Sequence, residues 1–205
     1  MNAHDLQNIK PGFEHEAFGS QAVFRAALNA LSHPGTPFSV SVNPAPLTAG
    51  HAASAALLLG LLDSDTSVWV SPVLASSDAA NWLRFHTGCQ VVQDPSIAHF
   101  LWVEQGDAMP PLSSLKLGSD EYPDESATCV VEVQSFDALD QGLHLQGPGI
   151  QETRFLGVTG PPHHFDLQWA KNHALFPRGV DVLFTTQATV VGLPRTTSAL
   201  PYTKE

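Results

Sequence analysis

Positive charge is what this chain has least of: nine Lys and Arg stand against 20 Asp and Glu over 205 residues, a formal net charge of −11. A field of that sign repels a phosphate backbone and argues against nucleic acid as a partner. Cysteine is scarcer still, with only Cys89 and Cys129, which argues against a disulfide-framed secreted domain. Long apolar runs are also missing. The most apolar stretch, Ala52 to Leu62, falls well short of the roughly 18 residues that span a bilayer, and Met1 to Lys10 lacks the apolar core of a signal peptide. The expectation is a cytoplasmic protein with reduced thiols and no membrane partner.

Several chemistry-bearing motifs are absent too. The sequence contains no Gly-x-x-x-x-Gly-Lys-Ser/Thr loop, no Gly-x-Ser-x-Gly elbow and no His-Glu-x-x-His pair. Gly147-Pro148-Gly149-Ile150-Gln151-Glu152 opens like a dinucleotide fingerprint but lacks the third glycine, so it reads as a turn. Ser113-Ser114-Leu115-Lys116 matches Ser-x-x-Lys without the motifs that accompany it in serine acylases. Among ten histidines, His86 and Cys89 are three apart and His163 and His164 are adjacent, but no further pair at ligand spacing completes a metal site. Asp124 and Glu125 are candidates for acid–base work; the simpler reading is that they solvate a loop.

What is present is a pattern of alternating elements. A hydrophobic content of 43% over this length supports one substantial core. Residues 1–19 read as a polar N-terminal arm, and residues 20–205 as a single α/β domain. From Ser20, an expected N-cap, Phe24, Leu28 and Leu31 recur at i, i+4 and i+7, predicting a helix with that stripe facing the core, ended by Ser32-His33-Pro34-Gly35. Further helices are expected over 48–63, after Ser77-Asp78, and over 164–175, with a helical turn at 112–116. Strands are expected over 67–74, 100–104, 127–133 and 143–146. Short loops between interleaved helices and strands argue for an α/β layer fold, with helices on both faces of a mixed sheet.

The scarce arginines gather interest near the C-terminus. Phe176-Pro177-Arg178-Gly179-Val180-Asp181 and Leu193-Pro194-Arg195-Thr196-Thr197 flank two β-branched and aromatic runs, 180–184 and 189–193, which read as a hairpin. Pairing Phe184 with Val190 would bring both arginines to its open end, where a phosphate or phosphonate could lie between the guanidiniums. The plainer alternative pairs each arginine with a carboxylate. The second loop reads as lying beyond the last strand, so Arg195→Ala is expected to leave the fold intact.

Taken in order, these segments resemble the PhnH subunit family of the carbon–phosphorus lyase system. The matching stretches are Ser20 to Arg25, Leu31 to Gly35, Leu61-Leu62-Asp63, Tyr122 to Thr128, Gly147 to Ile150, Phe176 to Asp181 and Leu193 to Thr197. The resemblance implies a three-layer α/β fold with a central mixed sheet, similar to the large domain of pyridoxal-phosphate-dependent transferases but without the cofactor site; none of Lys10, Lys116, Lys171 and Lys204 sits in a Schiff-base context. It implies a subunit that, with the other subunits of the core complex, supports formation of ribose 1-methylphosphonate 5-triphosphate from ATP and methylphosphonate, and that is a homodimer in isolation. The resemblance also implies that the later radical cleavage occurs on a different subunit, and two cysteines are too few to hold an iron–sulfur cluster here. Arg25, Arg178, Arg195 and Thr196 carry over as candidate ligand or interface residues. The family commonly has arginine where this chain has His33. A rival reading is a self-sufficient enzyme or binding protein for a phosphorylated nucleoside, using Arg178 and Arg195 as an anion clamp; a degenerate pyridoxal-phosphate enzyme is a third.

Overall fold

The β-branched runs pair into two sheets, and alanine-rich helices cover one of them. The computed structural model describes residues 9–41, 44 and 47–203. Along the chain come α1 (Glu16–Ser32), β1 (Phe38–Ser39), α2 (Ala52–Leu61), β2 (Ser67–Val70), α3 (Pro72–Ala75), α4 (Ala79–Thr87), β3 (Gln90–Val91), β4 (Phe100–Val103) and β5 (Thr128–Glu132). They are followed by β6 (Gln141–Gln146), β7 (Arg154–Leu156), α5 (Phe165–His173), β8 (Asp181–Thr185), β9 (Thr189–Leu193) and β10 (Ser198–Thr203). Seven strands form a mixed sheet in the order β1-β9-β8-β5-β4-β2-β3, and three form a second in the order β10-β6-β7. From β8 to β3 the large sheet is parallel, while β9 and β1 close its other side antiparallel. Parallel strands are covered on both faces, which is why β5 and β8 are buried almost from end to end.

The architecture is α/β with a large mixed central sheet, and two apolar clusters lie on that sheet's faces. One joins α1, α2 and α4 to it through Val23, Ala30, Leu57, Leu58 and Trp82, with Val130 and Leu183 from the strands. The other joins the opposite face, through Leu101, Cys129, Val131 and Phe184, to the small sheet (Leu143, Leu145, Leu156, Ala199) and to Trp169 of α5. Helices were expected on both faces; one face is instead covered by a second sheet and a single helix. The segment 143–146 belongs to that second sheet. Its partner β7 is a three-residue strand, too short to show a period.

The first helix buries a different stripe from the expected one. Phe24 and Leu28 are 54% and 55% exposed and only Leu31 of the expected stripe packs on the core, half-buried, while Val23, Ala26, Ala27 and Ala30 face inward. The reason is close approach: a Cβ at Gly192 of β9 would lie 2.3 Å from the carbonyl oxygen of Ala30. Only small side chains fit where helix and sheet backbones meet. The helix also begins earlier, at Glu16, with residues before it packed on α4, where the Lys10 carbonyl accepts from Trp82 Nε1 at 2.9 Å.

Two other boundaries move for local reasons. Thr48 stays outside α2 because its N–H and hydroxyl both donate to Asp78, at 2.9 and 2.7 Å; Asp78 therefore heads α4 without a side-chain cap. Strand β2 stops at Val70, because Pro72 cannot continue a central ladder and instead opens α3. The hairpin forms, but Phe184 pairs with Val191 and Thr185 with Val190, one residue from the expected register. The Thr186 N–H to Thr189 carbonyl bond at 3.0 Å tightens the turn to Gln187-Ala188.

Candidate functional site

Arg178 and Arg195 do lie at one end of the β8–β9 hairpin, since Arg195 Nη1 donates to the Pro177 carbonyl at 3.3 Å. Their environments differ sharply. Every one of the five N–H donors of the Arg195 guanidinium has an acceptor inside the chain. Nε donates to Asp181 Oδ1 at 3.2 Å, Nη2 to Asp181 Oδ2 at 2.6 Å and to Ser126 Oγ, and Nη1 to the Pro123 and Pro177 carbonyls. The Arg195 backbone N–H adds a bond to Asp181 Oδ1 at 2.7 Å, and its carbonyl oxygen lies 2.8 Å from His173 Nδ1. Of the two alternatives read from the sequence, pairing with a carboxylate is the one the geometry shows, and no donor of Arg195 is left for a ligand.

Three separated segments, 122–128, 176–181 and 193–197, thereby meet at one guanidinium. Two buried groups reinforce the joint. Asn172 of α5 takes the Val180 N–H at 2.8 Å and returns its amide to the Val180 carbonyl at 2.9 Å, while Trp169 Nε1 donates to the Thr197 carbonyl at 2.9 Å. Gly179 has φ +117 and sits where a Cβ would lie 2.9 Å from Asn172 Oδ1, so this position requires glycine. Thr196 is half-buried, and its carbonyl backs onto Gly147. The expectation that this loop lies beyond the last strand is corrected by β10, which follows it and pairs with β6 from Ser198↔Gln146 to Thr203↔Gln141.

None of the other candidates bonds the Arg195 guanidinium. Arg178 is 43% exposed and lies 3.3 Å from an oxygen of Asp120, itself 79% exposed; the contact is an ion pair without hydrogen-bond alignment, since Nε finds no bonded partner. Arg25 is exposed on α1 beside Phe24 and Leu28. His33 closes the C-terminus of α1, its Nδ1 3.1 Å from the Asn29 carbonyl and 3.0 Å from Ser32 Oγ. Asp124 and Glu125 are exposed on the turn whose Pro123 carbonyl meets Arg195. His86 and His163-His164 do not converge, and among the described residues no three His, Cys, Asp or Glu side chains are placed to hold a metal.

A family model described as bacterial phosphonate metabolism protein (PhnH) matches residues 11–199. The chain belongs to the PhnH family. One relative, the alpha-D-ribose 1-methylphosphonate 5-triphosphate synthase subunit PhnH of Rhizobium meliloti (strain 1021), is 40% identical over 185 residues, covering 90% of this chain and 92% of that protein. A putative C-P lyase subunit protein HtxG of Stutzerimonas stutzeri is 31% identical over 180 residues, covering 86% and 84%. The PhnH-like segments noted in the sequence are largely joints of the fold: beyond the three that meet at Arg195, Gly149 packs a Cα against the Ser32 carbonyl, where a Cβ would come within 2.3 Å.

Sequence reasoning passed over a second polar centre. Glu132, the last residue of β5, has a fully buried side chain whose Oε1 accepts from the His51 N–H at 2.6 Å and from Trp102 Nε1 at 2.8 Å. Its Oε2 is buried without a hydrogen-bond partner, 3.9 Å from His51 Nε2. The only signal in the sequence is one acid inside an otherwise apolar run, Cys129-Val130-Val131-Glu132-Val133.

Proposed function

We propose that this chain is a subunit of a carbon–phosphorus lyase assembly in organic phosphonate catabolism, supporting formation of ribose 1-methylphosphonate 5-triphosphate from ATP and methylphosphonate. The observation that carries the reading is the 40% identity to a subunit of that synthase across nine-tenths of both chains. The exposed Phe24–Leu28 stripe of α1 is in keeping with a contact surface for other subunits of the complex. Of the candidate residues, exposed Arg25 beside it and Arg178, paired only with the exposed Asp120, are placed to reach a partner or a phosphate- or phosphonate-bearing ligand, whereas Arg195 and Thr196 serve by shaping the loop.

The same reading includes a cytoplasmic setting, a homodimer for the isolated chain, a single domain whose first helix starts inside the expected arm, at Glu16, and kinship of the central sheet to the large domain of pyridoxal-phosphate-dependent transferases. Among the described residues no helix is long and apolar enough to cross a membrane. The deciding experiment is co-expression with the other subunits, followed by affinity capture and assay of the captured material with ATP and methylphosphonate. Capture of an active assembly that is lost with Phe24→Ser/Leu28→Ser supports the subunit role. Turnover by the purified chain alone would favour the self-sufficient enzyme.

A further inference from the structure

The paired histidines picked out in the sequence line a cavity of about 320 Å³ between the small sheet and the start of α5. Its floor belongs to the core: Leu143, Val158 and Phe165 are buried, and Phe165 is held by Trp169 and Phe184, their ring centroids 5.7 and 5.0 Å away. Its walls are rigid plates. Pro161, Pro162 and Pro201 present fixed rings, and Tyr202 is held edge-on against His144 at 4.8 Å and Phe155 at 5.3 Å. The two imidazoles of His163 and His164 lie 3.7 Å apart at a left-handed turn, and His164, with φ 53, is the one non-glycine residue of positive φ among those described. Residues held in that region carry strain and gather at ligand clamps.

The polar tips around the cavity are uncommitted. The Gln141 amide, the Asp166 carboxylate, the Tyr202 hydroxyl and both imidazoles hydrogen-bond no other described residue. Together they offer donors and acceptors in mixture. No lysine or arginine lines the cavity, so an anion would meet no fixed cation there. An aliphatic chain would fill the floor but leave the tips unmatched. A flat ring with N–H donors and ring-nitrogen acceptors on its edge suits both features, offering faces to the plates and an edge to the tips.

We propose that this cavity binds a flat, uncharged nitrogen heterocycle of purine size, stacked on Tyr202 and the histidine pair with its N–H edge toward Asp166 and Gln141. The inference does not depend on the assembly reading above, and its test uses the purified chain alone. Adenine is the probe. Inorganic phosphate is the control for an anion site, and cyclohexanol, which has neither an aromatic face nor an N–H edge, is the control for plain apolar filling. In titrations followed by amide chemical shifts of the whole chain, adenine gives saturable shifts at Gly142, Leu143, Val158, His163, Phe165 and Tyr202, and neither control moves them. His163→Ala and Tyr202→Leu each weaken adenine at least about fivefold, the lower end of what stacking a base on an aromatic side chain is worth. His163 is exposed, so His163→Ala melts as the wild type does and its loss of affinity reads the site rather than the fold. Absence of saturable shifts at these amides, an equal response to phosphate or cyclohexanol, or unchanged affinity in either variant would each overturn the proposal.

Discussion

Asp181, the first residue of β8, holds Arg195 just past the end of β9 through both its carboxylate oxygens and accepts the Arg195 backbone N–H as well. With side chains only 12% and 20% exposed, the pair lies where breaking one partner strands the other. It pins the hairpin's open end to the 122–128 loop and to the 176–181 loop at once. Arg195→Ala is therefore expected to destabilise the isolated chain by about 3 kcal/mol, the lower end of the cost of orphaning a buried charge. Arg195→Lys should recover only part of it, since an ammonium cannot reproduce the planar fork. Chemical denaturation of the two variants measures both; unchanged midpoints would mean the joint is dispensable.

Close approach of α1 to β9 leads to a second expectation. In Gly192→Ala the new methyl would meet the Ala30 carbonyl oxygen at 2.3 Å and its carbon at 2.4 Å, both backbone atoms that cannot rotate away. The helix must shift as a body, at a cost of about 1–3 kcal/mol. Leu28→Ser, on the exposed stripe of the same helix, should change stability by no more than about 0.5 kcal/mol. The contrast in thermal unfolding between the two tests which face of α1 is the packed one.

Asp78 ties Thr48 and Lys10 to the start of α4. Burial alone would raise its carboxyl, but the Thr48 N–H and hydroxyl and the Lys10 ammonium outweigh it and hold the group below its ordinary 3.8. A lowered carboxyl contributes stability above its unfolded value and loses it as pH falls through the folded one. Asp78→Asn should thus be less stable than wild type at neutral pH, with the two converging in acid below pH 3.8. Denaturant midpoints followed across that range check the convergence.

Both thiols are free and buried, and burial pushes both upward, Cys129 far above the ordinary thiol range. A thiol-reactive chromophore should find neither in the native protein within minutes and both after unfolding. Rapid native labelling of Cys129 would contradict its place between the sheets.

Much of this was legible in the chain because it is local. Alternation and β-branching mark β4, β5, β8 and β9, and short apolar-to-turn spacing marks the hairpin, since period and turn chemistry act over a few residues. The thiol count, the acid excess and the ordered segments that place the chain in its family are properties of sequence alone. Which face of α1 is buried was decided elsewhere: of the Phe24–Leu28–Leu31 stripe only Leu31 packs on the core, because only small side chains fit where the backbone approaches at Gly192. Arg195 reads as a ligand-seeking cation until Asp181, Ser126 and Pro123, up to 72 residues away, are brought around it. Glu132 reads as one acid in an apolar strand until the parallel register places Glu104 beside it and the fold seals it from water. Hydrophobic period and turn chemistry are settled by neighbours in sequence, whereas the partner of a buried charge is settled by which strands lie side by side, and that only the folded chain decides.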